Sequence, residues 1–134
     1  MVCLYCHGET AVKNSRLQKR QNRTWRRRQC QACNATLTTI ETYDFATALV
    51  VKRPDGTSAP FNRDKLFVSI LTSLGHRNNA MIEARHLTDT VMTRILKTSQ
   101  KATVQTTDLI ANTQKVLGAF DIAASTHYSA YHRI

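Results

Sequence analysis

Four cysteines are the residues of this chain whose types and spacing most directly predict chemistry. They form two pairs, Cys3-Leu-Tyr-Cys6 and Cys30-Gln-Ala-Cys33. In each pair a tight turn can direct two sulfurs at one cation, and two such turns complete the tetrahedron that Zn²⁺ prefers. Two disulfides, an iron–sulfur cluster or a redox-active CxxC are the alternatives. The spacing favours one structural zinc ion per chain, with His7 as a bystander.

Basic residues fill the segment between the two cysteine pairs: Lys13, Arg16, Lys19, Arg20, Arg23, Arg26, Arg27 and Arg28. Residues 1–46 carry a net charge of +5, and the remaining 88 residues also carry +5, so the N-terminal segment has about twice the charge density. The planar fork of arginine suits phosphate oxygens and guanine edges. A solubilising surface is the alternative, but mutually repelling cations favour an anionic partner. The segment therefore predicts nucleic-acid binding, without distinguishing DNA from RNA.

The composition of the whole chain also favours an anionic partner. Its 134 residues carry a formal net charge of +10, the pI is about 10.0, and 42% are hydrophobic. This length allows one globular core, or a small module joined to a larger one. The N-terminus lacks a secretory signal, and no stretch approaches the ~20 apolar residues of a membrane span. We therefore expect a cytoplasmic protein that has no membrane partner. Thiols stay reduced in the cytoplasm.

The elements that must position the cysteines are those of a zinc ribbon, in which a β-hairpin returns the chain to the metal. The candidate core of this ribbon is small: Val12, Leu17, Trp25, Leu37 and Ile40. Metal binding must therefore supply much of its folding free energy, which is of order 10 kcal/mol in zinc-finger peptides. We expect a strong chelator to unfold residues 1–42.

The rest of the chain predicts a β-hairpin followed by four helices. Residues 43–47 resemble a linker, and strands over 48–53 and 57–61 flank the turn Pro54-Asp55-Gly56. Helical periodicity predicts helices over residues 63–74, about 79–96, from Thr107 or Asp108 to Gly118, and about 121–132, with Asn62 as the N-cap of the first. Residues 103–105 form a short extended piece. The fold class predicted is α+β.

Few residues of this second segment indicate chemistry. Lys52, Arg53 and Lys65 lie near a predicted helix N-terminus, which could hold a polyphosphate, although exposed cations on a hairpin are ordinary. There is no P-loop and no GxGxxG motif. The histidines are scattered and the acids form no close pair, so we expect no enzyme and no catalytic residue.

The order of these motifs resembles the NrdR family, bacterial repressors of ribonucleotide reductase genes. The matching stretches are Cys3-x-x-Cys6, Asn14-Ser15-Arg16, residues 26–33 (Arg-Arg-Arg-Gln-Cys-x-x-Cys), residues 37–41 (Leu-Thr-Thr-Ile-Glu), residues 50–56 (Val-Val-Lys-Arg-Pro-Asp-Gly), residues 60–66 (Pro-Phe-Asn-Arg-Asp-Lys-Leu) and the final Tyr128-Ser-Ala-Tyr131-His-Arg133. The resemblance covers essentially the whole chain. It implies a small all-β zinc ribbon, residues 1–46, followed by an ATP-cone domain, residues 47–134, which consists of a β-hairpin and a four-helix bundle.

The resemblance also implies partners and site residues. It implies that the ribbon contacts double-stranded DNA at promoter boxes of reductase genes, and the DNA-binding set that we expect is Lys13, Arg16, Arg23, Arg26, Arg27 and Arg28. It implies that the cone senses ATP and dATP and forms homo-oligomers, tetramers or larger. The implied nucleotide site has phosphate contacts from Lys52, Arg53 and Lys65, and an adenine pocket of Val50, Val51, Glu41 and Tyr131. The protein would act in the bacterial cytoplasm, at the nucleoid when bound to DNA.

Three positions depart from the family pattern, and two other classes of function stay open. Asn14 replaces the usual acid, Pro54 adds a residue to the hairpin turn, and the sequence ends soon after Tyr131. The first alternative is a zinc-ribbon adaptor that binds RNA or protein and has no nucleotide affinity. The second is an ATP-cone accessory module that docks on a reductase without binding DNA.

Overall fold

A computed structural model describes residues 1–99 and 101–132 of the chain. The chain forms two compact units, Met1–Tyr43 and Asp44–Ile134, so the division falls three residues before the predicted position. Arg133, the last residue of the final motif noted above, lies outside the described residues. Within the described residues no helix is long and apolar enough to cross a membrane.

The first unit is built on an antiparallel sheet of three strands. These are β1 (Thr10–Gln18), β2 (Arg23–Cys30) and β3 (Thr36–Glu41), arranged in the order β1-β2-β3. The predicted hairpin is formed by β1 and β2, whose register runs from Thr10 opposite Cys30 to Gln18 opposite Arg23. A third strand lies on the outer edge of β2, beyond the single hairpin that the sequence predicted. β1 contains an irregularity between Val12 and Asn14, so that Lys13 has no partner on β2.

The first unit has almost no apolar core. Among its described residues only Cys3 and Cys30 are buried, both at 0% exposure. The prediction that Val12, Leu17 and Ile40 form a core was wrong, since their exposed fractions are 43%, 61% and 43%. A single three-stranded sheet has no second layer against which these side chains could pack. Trp25 and Leu37 are half-buried.

The second unit combines helices with a small sheet. Its elements in chain order are α1 (Phe45–Ala48), β4 (Val50–Lys52), β5 (Ser58–Pro60), α2 (Arg63–Ser73), α3 (Ala80–Thr98), β6 (Thr103–Gln105), α4 (Thr106–Phe120) and α5 (Ile122–Tyr131). The four long helices predicted from periodicity are confirmed. Asn62 caps α2 as predicted, accepting a hydrogen bond from the Lys65 backbone N–H over 2.9 Å.

Several element boundaries in the second unit differ from the predictions. The predicted linker over residues 43–47 contains the start of α1, whose N-terminus is capped by the Asp44 side chain. α1 also takes Ala48, which shortens the predicted strand to Val50–Lys52. Gly118 does not end α4, which continues to Phe120, because the Asp121 backbone N–H still bonds to the Leu117 carbonyl over 2.7 Å. α4 begins at Thr106, one residue before the earlier of its two predicted starts.

The predicted hairpin is part of a three-stranded mixed sheet. β4 pairs antiparallel with β5 and parallel with β6, in the order β5-β4-β6. The short extended piece predicted at residues 103–105 is therefore the third strand of this sheet, and it leads directly into α4.

One hydrophobic core lies under this sheet and among the helices. It consists of Leu49, Phe61, Leu66, Ile70, Leu74, Ala84, Leu87, Val91, Met92, Ile95, Val104, Val116, Leu117, Ala124 and Tyr128. The apolar faces predicted for the helices supply most of it. Every member belongs to the second unit, so this core includes no residue of the cysteine-containing unit.

Candidate metal centre and ligand-binding surfaces

The four cysteines lie in two turns with the same backbone geometry. The Cys3 N–H donates to the Gly8 carbonyl over 2.8 Å, and the His7 N–H donates back to the Cys3 carbonyl over 3.1 Å. At the second turn the Cys30 N–H donates to Ala35 over 2.9 Å and the Asn34 N–H donates to Cys30 over 3.1 Å. His7 and Asn34 occupy equivalent positions, with left-handed φ values of 59° and 60°.

The sulfurs of the two turns are close enough to share one ion. All four ligand atoms of Cys3, Cys6, Cys30 and Cys33 lie within 4.8 Å of one another. The Cys3 and Cys33 sulfurs are 3.7 Å apart, and those of Cys6 and Cys30 are 3.4 Å apart. Tetrahedral coordination with Zn–S bonds of about 2.3 Å places sulfurs roughly 3.8 Å apart. The cysteine cluster therefore has the size of a tetrahedral metal site.

The closeness of the sulfurs gives the thiols unequal proton affinities. The Cys33 backbone N–H donates to the Cys30 sulfur over 3.5 Å, and this contact is the largest of those that lower the pKa of Cys30 to about 6. The Ala35 backbone lowers the pKa of Cys33, but contacts with the Cys6 and Cys30 sulfurs and burial outweigh it and raise the value to about 12. Four sulfurs this close cannot all lose their protons unless a cation balances the charge. These residues fit a divalent metal bound by four thiolates.

Gly8 suits the closeness of the two turns. A Cβ at this position would lie 3.0 Å from the Ala32 Cβ and 3.4 Å from the sulfurs of both Cys6 and Cys30. A larger residue would therefore be accommodated only if the two turns shifted apart by a few tenths of an ångström. His7 contributes backbone geometry to the turn and is absent from the ligand cluster.

The predicted DNA-binding residues all lie on β1 and β2. They differ in exposure and in hydrogen-bond partners. Lys13, Arg16 and Arg27 are exposed, whereas Arg23, Arg26 and Arg28 are half-buried. The half-buried arginines have hydrogen-bond partners: the Arg23 Nε donates to Gln18 Oε1 over 2.6 Å, the Arg26 Nη2 to Glu41 Oε2 over 3.0 Å, and the Arg28 Nε to Thr39 Oγ1 over 3.2 Å. The sheet therefore presents a strongly cationic surface that is only partly neutralised.

A groove between α2 and α5 is a concave site of the second unit's described residues. Its volume is about 500 Å³, and its lining is Asn62, Asp64, Lys65, Val68, Ser69, Thr72, Ser73, His127, Tyr131 and His132. Two of the predicted nucleotide-binding residues, Lys65 and Tyr131, lie in this groove. The rings of His127 and Tyr131 have centroids 4.9 Å apart and are tilted by 39°, so two aromatic rings lie in the same groove as the Lys65 cation. Burial lowers the pKa of His132, which favours its neutral form.

The two helices that line the groove are joined at two places. At the middle of α2, the Ser69 Oγ and the Nε2 of His132, which follows the end of α5, lie 2.6 Å apart. Beyond the end of α2, Arg77 Nη1 donates to Asp121 Oδ2 over 2.8 Å, and His76 Nε2 lies 2.9 Å from the same oxygen. Asp121 is also the N-cap of α5, since its Oδ1 accepts from the Ala124 N–H. These contacts fix the antiparallel pair and hence the width of the groove.

The other predicted nucleotide-binding residues lie outside the groove lining. Val50, Val51 and Lys52 form β4, where Val51 is half-buried against the core and the other two are exposed. Arg53 begins the hairpin turn, and its Nη1 donates to Thr57 Oγ1 over 3.2 Å. Glu41 belongs to the first unit, where it forms an ion pair with Arg26.

Val68, Ser69, Thr72 and His127 line the groove but were not among the predicted site residues. Together with Lys65, the three residues on α2 recur at intervals of three and four, which places them on one side of that helix. His127 and Tyr131 are likewise four residues apart on α5. That spacing could have indicated a common surface, but the pairing of α2 with α5 is a long-range contact that periodicity does not reveal.

Comparison with known proteins identifies the family to which this architecture belongs. The profile described as "Transcriptional repressor NrdR-like, N-terminal domain" matches residues 1–41, the segment that holds all four cysteines and the arginine-rich sheet. A protein from Symbiobacterium thermophilum named "Transcriptional repressor NrdR" is 32% identical over 133 residues, covering 99% of this chain and 87% of its own length. The chain belongs to the NrdR family.

Other relatives extend this similarity across the family. "Transcriptional repressor NrdR" of Sphingopyxis alaskensis is 32% identical over 134 residues, covering 99% of this chain and 85% of its own length. The Streptococcus thermophilus protein of the same name is 44% identical over a shorter stretch of 78 residues, 58% of this chain and 48% of its own length. The first unit is thus an NrdR zinc ribbon, and the relatives are named repressors rather than enzymes.

Proposed function

We propose that this chain is a nucleotide-sensing repressor that binds double-stranded DNA at the promoters of ribonucleotide reductase genes. In this proposal one Zn²⁺, held by the four cysteines, is structural and keeps the arginine-rich sheet in shape. ATP and dATP bind the second unit and change the assembly of homo-oligomers, tetramers or larger. The protein acts in the bacterial cytoplasm, at the nucleoid when it is bound to DNA.

The observation that carries the proposal is the arginine-rich sheet on a metal-organised scaffold. The first unit lacks an apolar core, and apart from the cysteine cluster its cationic surface is its main chemical feature. Arginine and lysine contacts to phosphates supply the sequence-independent part of DNA affinity. The ion pair between Arg26 and Glu41 neutralises only one of the cations.

Support for the nucleotide site comes from the groove between α2 and α5. Lys65 lies in the first turn of α2, where the helix N-terminus adds a partial positive charge that favours phosphate oxygens. The neighbouring rings of His127 and Tyr131, tilted by 39°, each offer an aromatic face on which a purine could lie. The volume of the groove, about 500 Å³, falls within the range typical of small-molecule sites. We include Lys52, Arg53, Val50 and Val51 in the proposed nucleotide site on the family resemblance.

The experiment that tests the proposal measures DNA binding and mass on the same samples. The intact protein, loaded with zinc, is titrated onto a labelled duplex that carries a reductase promoter, with no nucleotide, with ATP, with dATP and with both. A mixed-sequence duplex of equal length is the control. Because coupling between two ligands is reciprocal, promoter DNA should change the affinity for dATP by the same factor that dATP changes the affinity for DNA.

Three results would contradict parts of the proposal. Nucleotide binding without any duplex binding would indicate an accessory module that acts through protein contacts. Duplex or RNA binding without nucleotide binding would indicate a ribbon adaptor. Binding of both ligands with no effect of one on the other would leave a DNA-binding protein that does not sense nucleotides.

A further inference from the structure

The strand register divides the ribbon arginines between the two faces of the sheet. In antiparallel strands, residues directly opposite each other have side chains on the same face, and neighbours along a strand alternate. Arg16 lies opposite Trp25, and Trp25 lies opposite Ile40. Arg27 and Arg23 are two residues from Trp25 in either direction along β2, so they share this face.

The opposite face contains the remaining arginines of the predicted set. Arg26 lies opposite Ser15 and Thr39, and Arg28 lies opposite Val12 and Leu37. Thr24 lies opposite Leu17 and Glu41, which brings the only strand carboxylate onto this face. We call the side with Arg16, Arg23, Trp25 and Arg27 the tryptophan face, and the side with Arg26, Arg28 and Glu41 the glutamate face.

The unpaired residue Lys13 determines on which face Arg16 lies. Simple alternation along β1 would place Val12, Asn14 and Arg16 on one side. The irregularity between Val12 and Asn14 instead pairs Val12 with Arg28 and Asn14 with Arg27, which are on opposite faces. Asn14 and Arg16 therefore join Arg27 on the tryptophan face. An extra residue in one strand of this kind is a β-bulge.

The two faces differ in net charge and in the freedom of their guanidinium groups. Over the strands, the tryptophan face carries three arginines and no acid, whereas Glu41 offsets one of the two arginines on the glutamate face. Arg16 and Arg27 are exposed, and among the described residues neither donates a side-chain hydrogen bond. Arg26 and Arg28 are half-buried and donate to Glu41 and Thr39.

We infer that DNA binds the tryptophan face of the sheet, with Arg16 and Arg27 as its principal contacts. The inference rests on the proposed DNA-binding function and narrows it, because one flat sheet cannot place both faces against the same groove of a duplex. Contacts from the glutamate face would use guanidinium groups that each already donate one N–H, Arg26 to Glu41 and Arg28 to Thr39, and the Glu41 carboxylate offsets the charge of Arg26. They would also bring Glu41 towards the phosphates, which like charge disfavours.

The test compares two double variants that remove the same charge from opposite faces. Arg16→Ala/Arg27→Ala alters the tryptophan face, and Arg26→Ala/Arg28→Ala alters the glutamate face. Each is prepared in the intact, zinc-loaded chain, and zinc content and circular dichroism confirm that the ribbon is folded. Affinity for the promoter duplex and for a mixed-sequence duplex is measured by fluorescence anisotropy over a series of salt concentrations, with the nucleotide that gives the wild type its highest affinity.

The tryptophan-face variant should lose roughly tenfold or more in affinity, and the slope of log K against log salt should fall by about two units, one for each lost phosphate contact. The glutamate-face variant should lose less than about threefold and keep its slope within one unit.

Equal losses in the two double variants, or a larger loss from the glutamate face, would overturn the face assignment while leaving DNA binding intact. Failure of the folded wild type to bind any duplex is a separate result, which removes the proposed function and this inference with it. If Arg26→Ala/Arg28→Ala lowers zinc content, Arg26→Lys/Arg28→Lys keeps the charges and serves as the second comparison: a loss of affinity in this folded variant would also contradict the assignment.

Discussion

Removal of the metal should unfold the first unit and leave the second unit folded. The reason is the distribution of burial. In the first unit the only buried residues among those described are Cys3 and Cys30, so once the metal is gone no apolar core remains to offset the entropy of ordering the chain. In zinc-finger peptides the metal contributes on the order of 10 kcal/mol, which here has no substitute.

The magnitude of the expected change follows from the secondary structure. The ribbon strands contain nine, eight and six residues, whereas each strand of the second unit contains three. All the described helices belong to the second unit, the longest being α3 with nineteen residues. Chelation should therefore remove most of the strand signal of the protein and almost none of its helical ellipticity at 222 nm.

Hydrogen exchange read by mass spectrometry is the most direct assay. Amides of β1, β2 and β3 should exchange at the rates of an unfolded chain after treatment with a strong chelator, and protection should return when Zn²⁺ is added. Peptides from α2 to α5 serve as the internal control, because they should keep their protection throughout. Retained protection of β2 in metal-free protein would refute the argument that the metal replaces a core.

Four further outcomes are expected. Replacing Gly8 with alanine should lower zinc affinity in a competition titration, since the new Cβ would approach the Ala32 Cβ to 3.0 Å; unchanged affinity would show that the turns can move apart. Ile70→Ala removes a fully buried side chain and should cost about 2–5 kcal/mol of the second unit's unfolding free energy in urea, whereas Ile82→Ala, at a site 61% exposed, should cost less than about 0.5 kcal/mol. Contacts from the Ala124 backbone, His76 and Arg77 hold the pKa of Asp121 well below its usual range. In acid, at pH values between the folded and unfolded pKa of Asp121, the unfolded chain therefore binds a proton at this carboxylate that the folded chain does not. Thermal stability should accordingly fall as pH drops below about 5, and Asp121→Asn should lower the melting temperature at pH 7 by roughly 5 °C and flatten this acid dependence; an identical pH profile would exclude the contribution. In calorimetric titrations, Lys65→Ala should weaken ATP and dATP binding about tenfold, whereas Lys115→Ala, at an exposed site outside the groove, should not. Lys52→Ala tests whether Lys52 contacts the phosphates: an affinity equal to that of the wild type would remove Lys52 from the site.

Local patterns in the sequence predicted the parts of the structure that local physics determines. The spacing of the cysteines predicted one shared cluster because a CxxC turn fixes two sulfurs within a few residues. Apolar periodicity predicted four helices, and the asparagine at position 62 predicted the start of α2, since capping involves only neighbouring residues.

Long-range pairing is what the sequence could not supply. The parallel pairing of β6 with β4 joins segments about fifty residues apart and leaves no periodic signal. The same holds for the contact of Arg77 with Asp121, which joins the end of α2 to the start of α5. On β1 the bulge at Lys13 changes the alternation, so the face of Arg16 could not be read from the sequence.

The position of the metal centre has a consequence for the mechanics of the sheet. The cysteines join only one end of β1 and β2, while the far end is a turn held by two backbone hydrogen bonds, Gln21 N–H to Gln18 and Asn22 N–H to Lys19, of 3.2 and 3.3 Å. We expect stiffness to decrease along the strands from the cysteines to this tip. Arg27, near the cysteines, would then move less than Arg23, near the tip. In the proposed complex with DNA, Arg27 would fix the position of the sheet, and Arg23 could adjust to the local width of the DNA groove.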